Sequence, residues 1–158
     1  MKSILSFSVL VIVLTLASCG TIGVSQTVKD ELQAKNYPIA VIKIVKEGPN
    51  SAGGVAVYVS WQNISDKDIK YAVFQLVPYN AVNDIQRCEI TRRSLVSLED
   101  TGPVKPDQMV SMSKWANVWY NSTIDHLGIK GLEITFMDGT KITFDEAQAT
   151  EMFIDRNF

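Results

Sequence analysis

The sequence predicts an antiparallel β-sandwich, and three observations carry that expectation. Val55 to Asn63 alternates apolar and polar residues, and Ile69 to Tyr79 is a longer run with two apolar faces. Asp138-Gly139 stands between the apolar runs Leu132–Phe136 and Ile142–Phe144, a strong hairpin signal. The body of the chain shows almost no helical periodicity, and strands separated by turn formers without intervening helices build sandwiches. At 158 residues one domain is expected, and a hydrophobic content of 46% with 9% aromatics excludes a disordered chain. Fifteen Lys and Arg against seventeen Asp and Glu give a net charge of −2, with no basic footprint for nucleic acid. One His and two Cys exclude a zinc or iron–sulfur site built from those residue types alone.

Lys2 is the only charge before residue 19, and Ile4 to Leu16 is apolar except at Ser6, Ser8 and Thr15. A charged start followed by a run too short to span a bilayer reads as a secretory signal. The run closes on Leu16-Ala17-Ser18-Cys19, which resembles the bacterial lipobox at all four positions. Small residues suit a peptidase that binds this segment extended. The resemblance implies cleavage between Ser18 and Cys19 and acylation of the Cys19 thiol and amine, palmitate being a typical chain. It also implies a cell-membrane or outer-membrane address on the extracytoplasmic side, with Gly20 after the Cys pointing to the outer membrane of a two-membrane cell. Buried acyl methylenes are worth about 0.8 kcal/mol each, so two or more chains hold stably. Lipidation would consume Cys19 and leave Cys88 without a partner, either as a buried small hydrophobe or as a surface thiol.

Residues 1–18 are thus expected to be a signal peptide, 19–38 a lipidated tether with a short helix, and 39–158 the sandwich domain. Thr27 to Asn36 reads as the helix, with Thr27 as its cap and Tyr37-Pro38 as its stop. Ile39 to Lys46 is rich in Ile and Val and reads as the first strand, ended by the loop Gly48 to Gly54. Strands follow at 55–63 and 69–79, the second of them central. Asn80 to Asp84 is a turn, and Ile85 to Thr91 reads as a short polar edge strand. Thr101 to Asp107 carries Pro103 and Pro106 and is expected to be irregular, because each proline removes a backbone donor. A strand at Gln108 to Trp115, the hairpin at 138–139 and a terminal helix over Asp145 to Arg156 complete the chain.

Val57 to Phe74 with its central Asn63-Ile64-Ser65, then Asn83-Asp84, then Val104-Lys105-Pro106-Asp107 resembles the FxLYD-type immunoglobulin-like modules of bacterial envelope proteins. Asn83 and Asp107 stand where those modules carry glycine. The span from Trp115 to Thr123 with Asp138-Gly139-Thr140 is similar to a pattern in small bacterial lipoproteins of unassigned role. The resemblance implies an immunoglobulin-like sandwich and brings no catalytic residue with it.

Among chemistry-bearing residues, Cys88 and His126 could pair if their strands were adjacent, yet nothing resembles a nucleophile elbow. Glu99-Asp100 and Asp145-Glu146 are adjacent pairs that do not face each other across a site, and Asp66 and Asp68 are separated by Lys67 without the spacing of a calcium loop. No enzyme, metal or cofactor is expected. Trp115, Trp119 and Tyr120 form a dense aromatic cluster, and Trp119 with Tyr120 is the candidate partner-binding pair, since Trp and Tyr join apolar area to a polar handle. The alternative packs Trp115 in the core and uses Trp119 and Tyr120 to pin the next connection. Arg92-Arg93 reads as a solvated strand end, and Asn121-Ser122-Thr123 matches a glycosylation acceptor that a bacterial lipoprotein leaves unmodified. The expected role is a non-enzymatic, lipid-anchored envelope protein that binds another protein or a cell-wall component. A small-ligand or saccharide module using Trp119 and Tyr120 is the alternative, and a hydrolase the third reading.

The lipobox makes the first prediction. Cys19→Ala should leave an uncleaved or soluble precursor, whereas the unaltered chain extracted from membranes should show acyl mass on Cys19. An unmodified Cys19 thiol in that mass spectrum would contradict the signal-segment reading.

Overall fold

The computed structural model describes residues 23–154. The signal segment 1–18, the cleavage point at Ser18 and Cys19, and residues 155–158 lie outside the described residues. Within them the chain runs α1 (Gln26–Ala34), β1 (Ile39–Glu47), β2 (Gly54–Asn63), β3 (Ile69–Tyr79), β4 (Val96–Val104), β5 (Met109–Tyr120), β6 (His126–Phe136), β7 (Lys141–Asp145) and α2 (Glu146–Glu151). Two sheets form, β1-β2-β5 and β4-β3-β6-β7, and every strand pairing is antiparallel. This is the expected mainly-β sandwich, with one short helix before its strands and one after them in the chain. In the constant-type immunoglobulin arrangement the fourth strand borders the fifth; here β4 borders β3 in the other sheet.

Period-two alternation explains the core. Val55, Val57, Val59 and Trp61 of β2 are fully buried and face Ala72, Phe74 and Leu76 of β3 and Leu132 and Ile134 of β6. The Trp61 and Phe74 rings meet across the sheets with centroids 6.3 Å apart. β3 lies between β4 and β6, the central position its two apolar faces predict. β2 is also central, and its second face is covered toward α1, where Ser60 and Gln62 are buried, while Ala56 and Tyr58 stay half-buried. Gln62, which alternation assigns to the outside, is buried because the chain entering α1 lies over it: its Oε1 accepts from Val24 N at 2.8 Å, and its Nε2 donates to Asp107 O at 3.0 Å.

Several boundaries differ from the sequence expectation. Ser25, not Thr27, caps α1, its side chain accepting from Val28 N, and Leu32 of that helix joins the sandwich core. Residues 85–91 form no strand; only Ile85 makes an isolated bridge, to Tyr79. The edge strand is β4, which runs through Gly102-Pro103. Two residues there oppose the single Lys70 of β3, and this bulge accommodates a residue that cannot donate to a ladder. A Cβ at Gly102 would stand 2.2 Å from Ile69 O, so only glycine fits the close approach. β5 continues past Trp115 to Tyr120 because two bulges, with Met112 at φ 60° and Asn117 at φ 53°, bend it along β2. The terminal helix is shorter than expected: Asp145 caps it in a reciprocal box with Gln148, and after it Phe153 pairs in parallel with Val41.

The hairpin at 138–139 is present, with different geometry from a two-residue turn. Phe136 N donates to Thr140 O at 2.9 Å and Gly139 N to Phe136 O at 3.0 Å, enclosing a three-residue loop in which only Gly139 has positive φ, 86°. Asn83 and Asp107 have φ of 65° and 64°, the left-handed backbone that glycine serves and that Asn and Asp also tolerate.

The sandwich has two distinct ends. At one, α1 meets the 64–68, 105–108 and 137–140 turns. Lys29 pairs with Asp107, Gln33 donates to Ile64 O, and Met137 N donates to Asp68 O at 2.9 Å. Lys67 pairs with Asp138 at 2.7 Å; that bond and donors from Thr140 hold the Asp138 carboxyl down at about 2. At the opposite end the 48–53, 80–95 and 121–125 segments gather, joined by Asn50 Nδ2 to Asn117 Oδ1 at 3.0 Å and Asn121 Nδ2 to Arg87 O at 2.9 Å.

Candidate functional site

The long connection from β3 to β4, residues 80–95, is the most elaborate surface feature at the end away from α1. It begins with an Asx turn in which Asn80 Oδ1 accepts from Val82 N at 3.1 Å and Asp84 N at 2.9 Å. A second turn closes where Arg92 N donates to Cys88 O and Cys88 N to Arg93 O, both at 2.9 Å, with Arg92 at φ 60°. Glu89 N donates to Tyr120 O at 2.8 Å, and Thr123 Oγ1 donates to Gln86 Oε1 at 2.9 Å, so the connection is bonded to the end of β5 and the segment after it.

Two buried side chains hold it from beneath. Cys88 is 1% exposed, and its Sγ accepts from Thr91 N at 3.5 Å and Tyr120 N at 3.4 Å. Burial alone would push this thiol up, but bonds from the side chain and backbone of Thr91 and from the backbone N–H groups of Tyr120 and Ile90 outweigh it and bring the pKa down to about 7. Trp119 is fully buried, and its Nε1 donates to Ser94 O at 2.9 Å. This corrects the expectation for the candidate pair. Trp119 cannot touch a partner, and Tyr120 is half-buried against the core. Trp115, expected in the core by the alternative reading, is half-buried and packs against the core, as Tyr120 does.

What the connection presents outward is aliphatic and basic. Val82, Ile85, Ile90 and Leu95 are 72%, 53%, 68% and 50% exposed. Arg87, Arg92 and Arg93, three of the chain's four arginines, are exposed on the same stretch beside Asp84 and Glu89, and none of the three joins an ion pair among the described residues. Sequence reasoning named Arg92-Arg93 but read them as the end of a strand; the tight turn at Cys88–Arg93 puts them on a loop instead. The cluster of Arg within seven residues is the signal that could have drawn attention to the loop.

Where this loop enters β4, the sandwich opens into a groove between the edges of β4 and β5. It has a volume of about 560 Å³ and is lined by Leu95, Val96, Leu98, Trp115 and Val118, with Arg93 its charged member. A second cavity of about 590 Å³ lies between β1 and the start of β6, lined among others by Ile44, Lys46, His126 and Phe153. There His126 Nδ1 sits 3.2 Å from Asp125 Oδ2, and its ring stacks on Tyr79 with centroids 5.4 Å apart. The polar contacts of Cys88 are with Thr91 and Tyr120 and those of His126 with Asp125, so the structure does not join the two.

The remaining pairs are held in structural roles. Asp100 Oδ2 accepts from Trp61 Nε1 at 2.9 Å and Ser113 Oγ at 2.6 Å, Asp145 caps α2, and Asn121 is buried with its amide bonded to Arg87 O. Among the described residues no three or more His, Cys, Asp or Glu side chains gather as metal ligands, Asp66 and Asp68 included. Compared with protein-family models and with curated proteins, the chain matches none.

The perturbed thiol yields a pH prediction. Because the folded pKa of Cys88 lies near 7, below the ordinary value of 9.0, its ionisation stabilises the fold fully above pH 9, and that contribution is lost as pH falls through 7. The stability difference between the unaltered chain and Cys88→Ala, read by chemical denaturation, should widen as pH rises from 7 to 9. A difference that stays flat over that interval would show that the backbone donors do not hold the thiolate.

Proposed function

We propose that the protein is a lipid-anchored component of the bacterial cell envelope whose sandwich carries a protein-binding surface, the 80–95 connection, to a partner away from the anchoring membrane. The observation that carries this reading is the polarity of the fold. Cys19 would lie only four residues before Gly23, and Gly23 and Val24 are held beside Gln62 at the α1 end of the sandwich. Four residues reach at most roughly 14 Å, whereas a strand as long as β3 runs on the order of 36 Å. Among the described residues no helix is long and apolar enough to cross a membrane; the anchor in this reading is the acylated Cys19.

The exposed aliphatics with unpaired arginines support a protein partner. Arg is enriched in interface cores, and an exposed apolar cluster rimmed by charge is the usual make-up of a binding surface. The connection is braced from beneath by Cys88 and Trp119, so it would meet its partner preformed and lose little conformational entropy on binding. No catalytic step is part of this reading. The saccharide alternative loses its stacking platform, since Trp119 is buried.

Site-specific photo-crosslinking in intact cells tests it. A crosslinker at Ile90 on the far end should capture a discrete protein adduct, while one at Met137, also exposed but at the α1 end, should not. Adducts of the same protein from both positions, or none from Ile90, would contradict the assignment of the binding surface.

A further inference from the structure

We propose that the groove between β4 and β5 is the specificity site of that surface, and that it takes an acidic, aliphatic segment of the partner in extended form. The inference rests on the binding surface assigned above and adds to it the chemistry of the ligand. The walls of the groove are Leu95, Val96, Leu98 and Val118, with the half-buried face of Trp115 between them. The groove, about 560 Å³ and open to solvent, has a mixed lining in which Ser97 and Arg93 add polar surface to the aliphatic walls, and Trp is among the residue types enriched as binding anchors. Arg93 provides the groove's charge, and Arg92 adjoins it on the same exposed turn. With neither guanidinium in an ion pair among the described residues, both are open to a carboxylate in bidentate fashion. The ligand therefore carries aliphatic side chains for the walls and a carboxylate beside them for Arg93.

The backbone explains why the segment is extended. β4 pairs with β3 and β5 with β2, so each turns its outer edge toward the groove. The bulges at Met112 and Asn117 interrupt β5 on both sides of Ser113–Ala116, which limits strand addition to a short stretch and leaves recognition to side chains. Two residues along the strands from the groove's Leu98 and Trp115, Ser113 Oγ and Trp61 Nε1 both bond to Asp100 and link β4 to β5.

Intrinsic fluorescence of the full chain in detergent reads occupancy directly, because Trp61 and Trp119 are fully buried and Trp115 is the tryptophan that meets solvent. The probes are a synthetic peptide alternating leucine and aspartate, its counterpart alternating leucine and lysine, and phosphatidylglycerol vesicles. The acidic peptide should give a saturable blue shift that is lost in Trp115→Phe, and the lysine peptide should not. Arg93→Glu, on an exposed side chain with the melt checked for folding, should weaken the acidic peptide at least about tenfold and admit the lysine peptide. Lys105→Glu at the α1 end should change neither. Equal binding of the two peptides, no shift with the acidic one, or an acidic affinity unaltered by Arg93→Glu overturns the proposal; a shift with the vesicles alone assigns the groove to anionic lipid and overturns it as well. If these peptides fail while Ile90 still captures its adduct, the binding surface stands and the groove is excluded from it.

Discussion

One carboxylate joins the two sheets on their open side. β4 and β5 border different sheets and share no ladder, yet Asp100 of β4 accepts both the indole N–H of Trp61 from β2 and the hydroxyl of Ser113 from β5. Trp61 is the largest side chain at the centre of the core, and its N–H must find an acceptor once buried; an orphaned donor there would cost about 1–3 kcal/mol. Asp100 meets that need and, by taking the second bond from Ser113, fixes the distance between two strands that hydrophobic contact alone would let slide. Asn63 performs a related task nearer α1, where its Nδ2 donates to Val104 O and Lys67 O at 2.9 Å each and its Oδ1 accepts from Ser65 N and Oγ. On the opposite side the closure is backbone: Val41 N donates to Met152 O at 2.8 Å and Ile154 N to Val41 O at 3.0 Å.

Everything distinctive about the surface follows from how these closures are distributed. The α1 end is tied by ion pairs, by Asn63 and by the buried Gln62, beside which Gly23 and Val24 lie. Beyond Asp100 the groove runs between β4 and β5 to the point where the 80–95 connection joins β4, and there Trp119 Nε1 bonds to Ser94 O. The connection itself would have too little apolar surface to order on its own. It is ordered because its own Cys88 is buried and accepts from Tyr120 N of β5, and because Trp119 is buried and donates to Ser94 O. The loop's exposed aliphatics are interspersed with exposed arginines.

The alternation in β2 and β3 made the architecture legible in the sequence, and so did the position of Asp138-Gly139, because both depend on local rules. The features missed were those in which tertiary contact overrides them. Pro103 reads as a strand breaker, but at a bulge on an edge strand its missing N–H has no ladder partner to lose. β5 reads as ending near Trp115 because nothing in Met112 or Asn117 announces a left-handed residue inside a strand. Residues 85–91 carry a strand-like composition, yet they fold back on themselves through the Cys88–Arg93 turn. At 115–120 the period-two pattern, shifted by the bulge at Asn117, turns Trp119 fully inward and leaves Trp115 half-buried, packed against the core beside the groove.

The account depends most on the Asp100 junction, and a double-mutant cycle measures it directly. Trp61→Phe, Asp100→Ala and the pair would each be unfolded in denaturant and compared with the unaltered chain. A junction of the kind described predicts coupling of about 1 kcal/mol or more between the two positions, because Asp100→Ala strands a buried N–H only while the indole is present. Effects that simply add, to within about 0.5 kcal/mol, would contradict the claim that this carboxylate holds the sheets together.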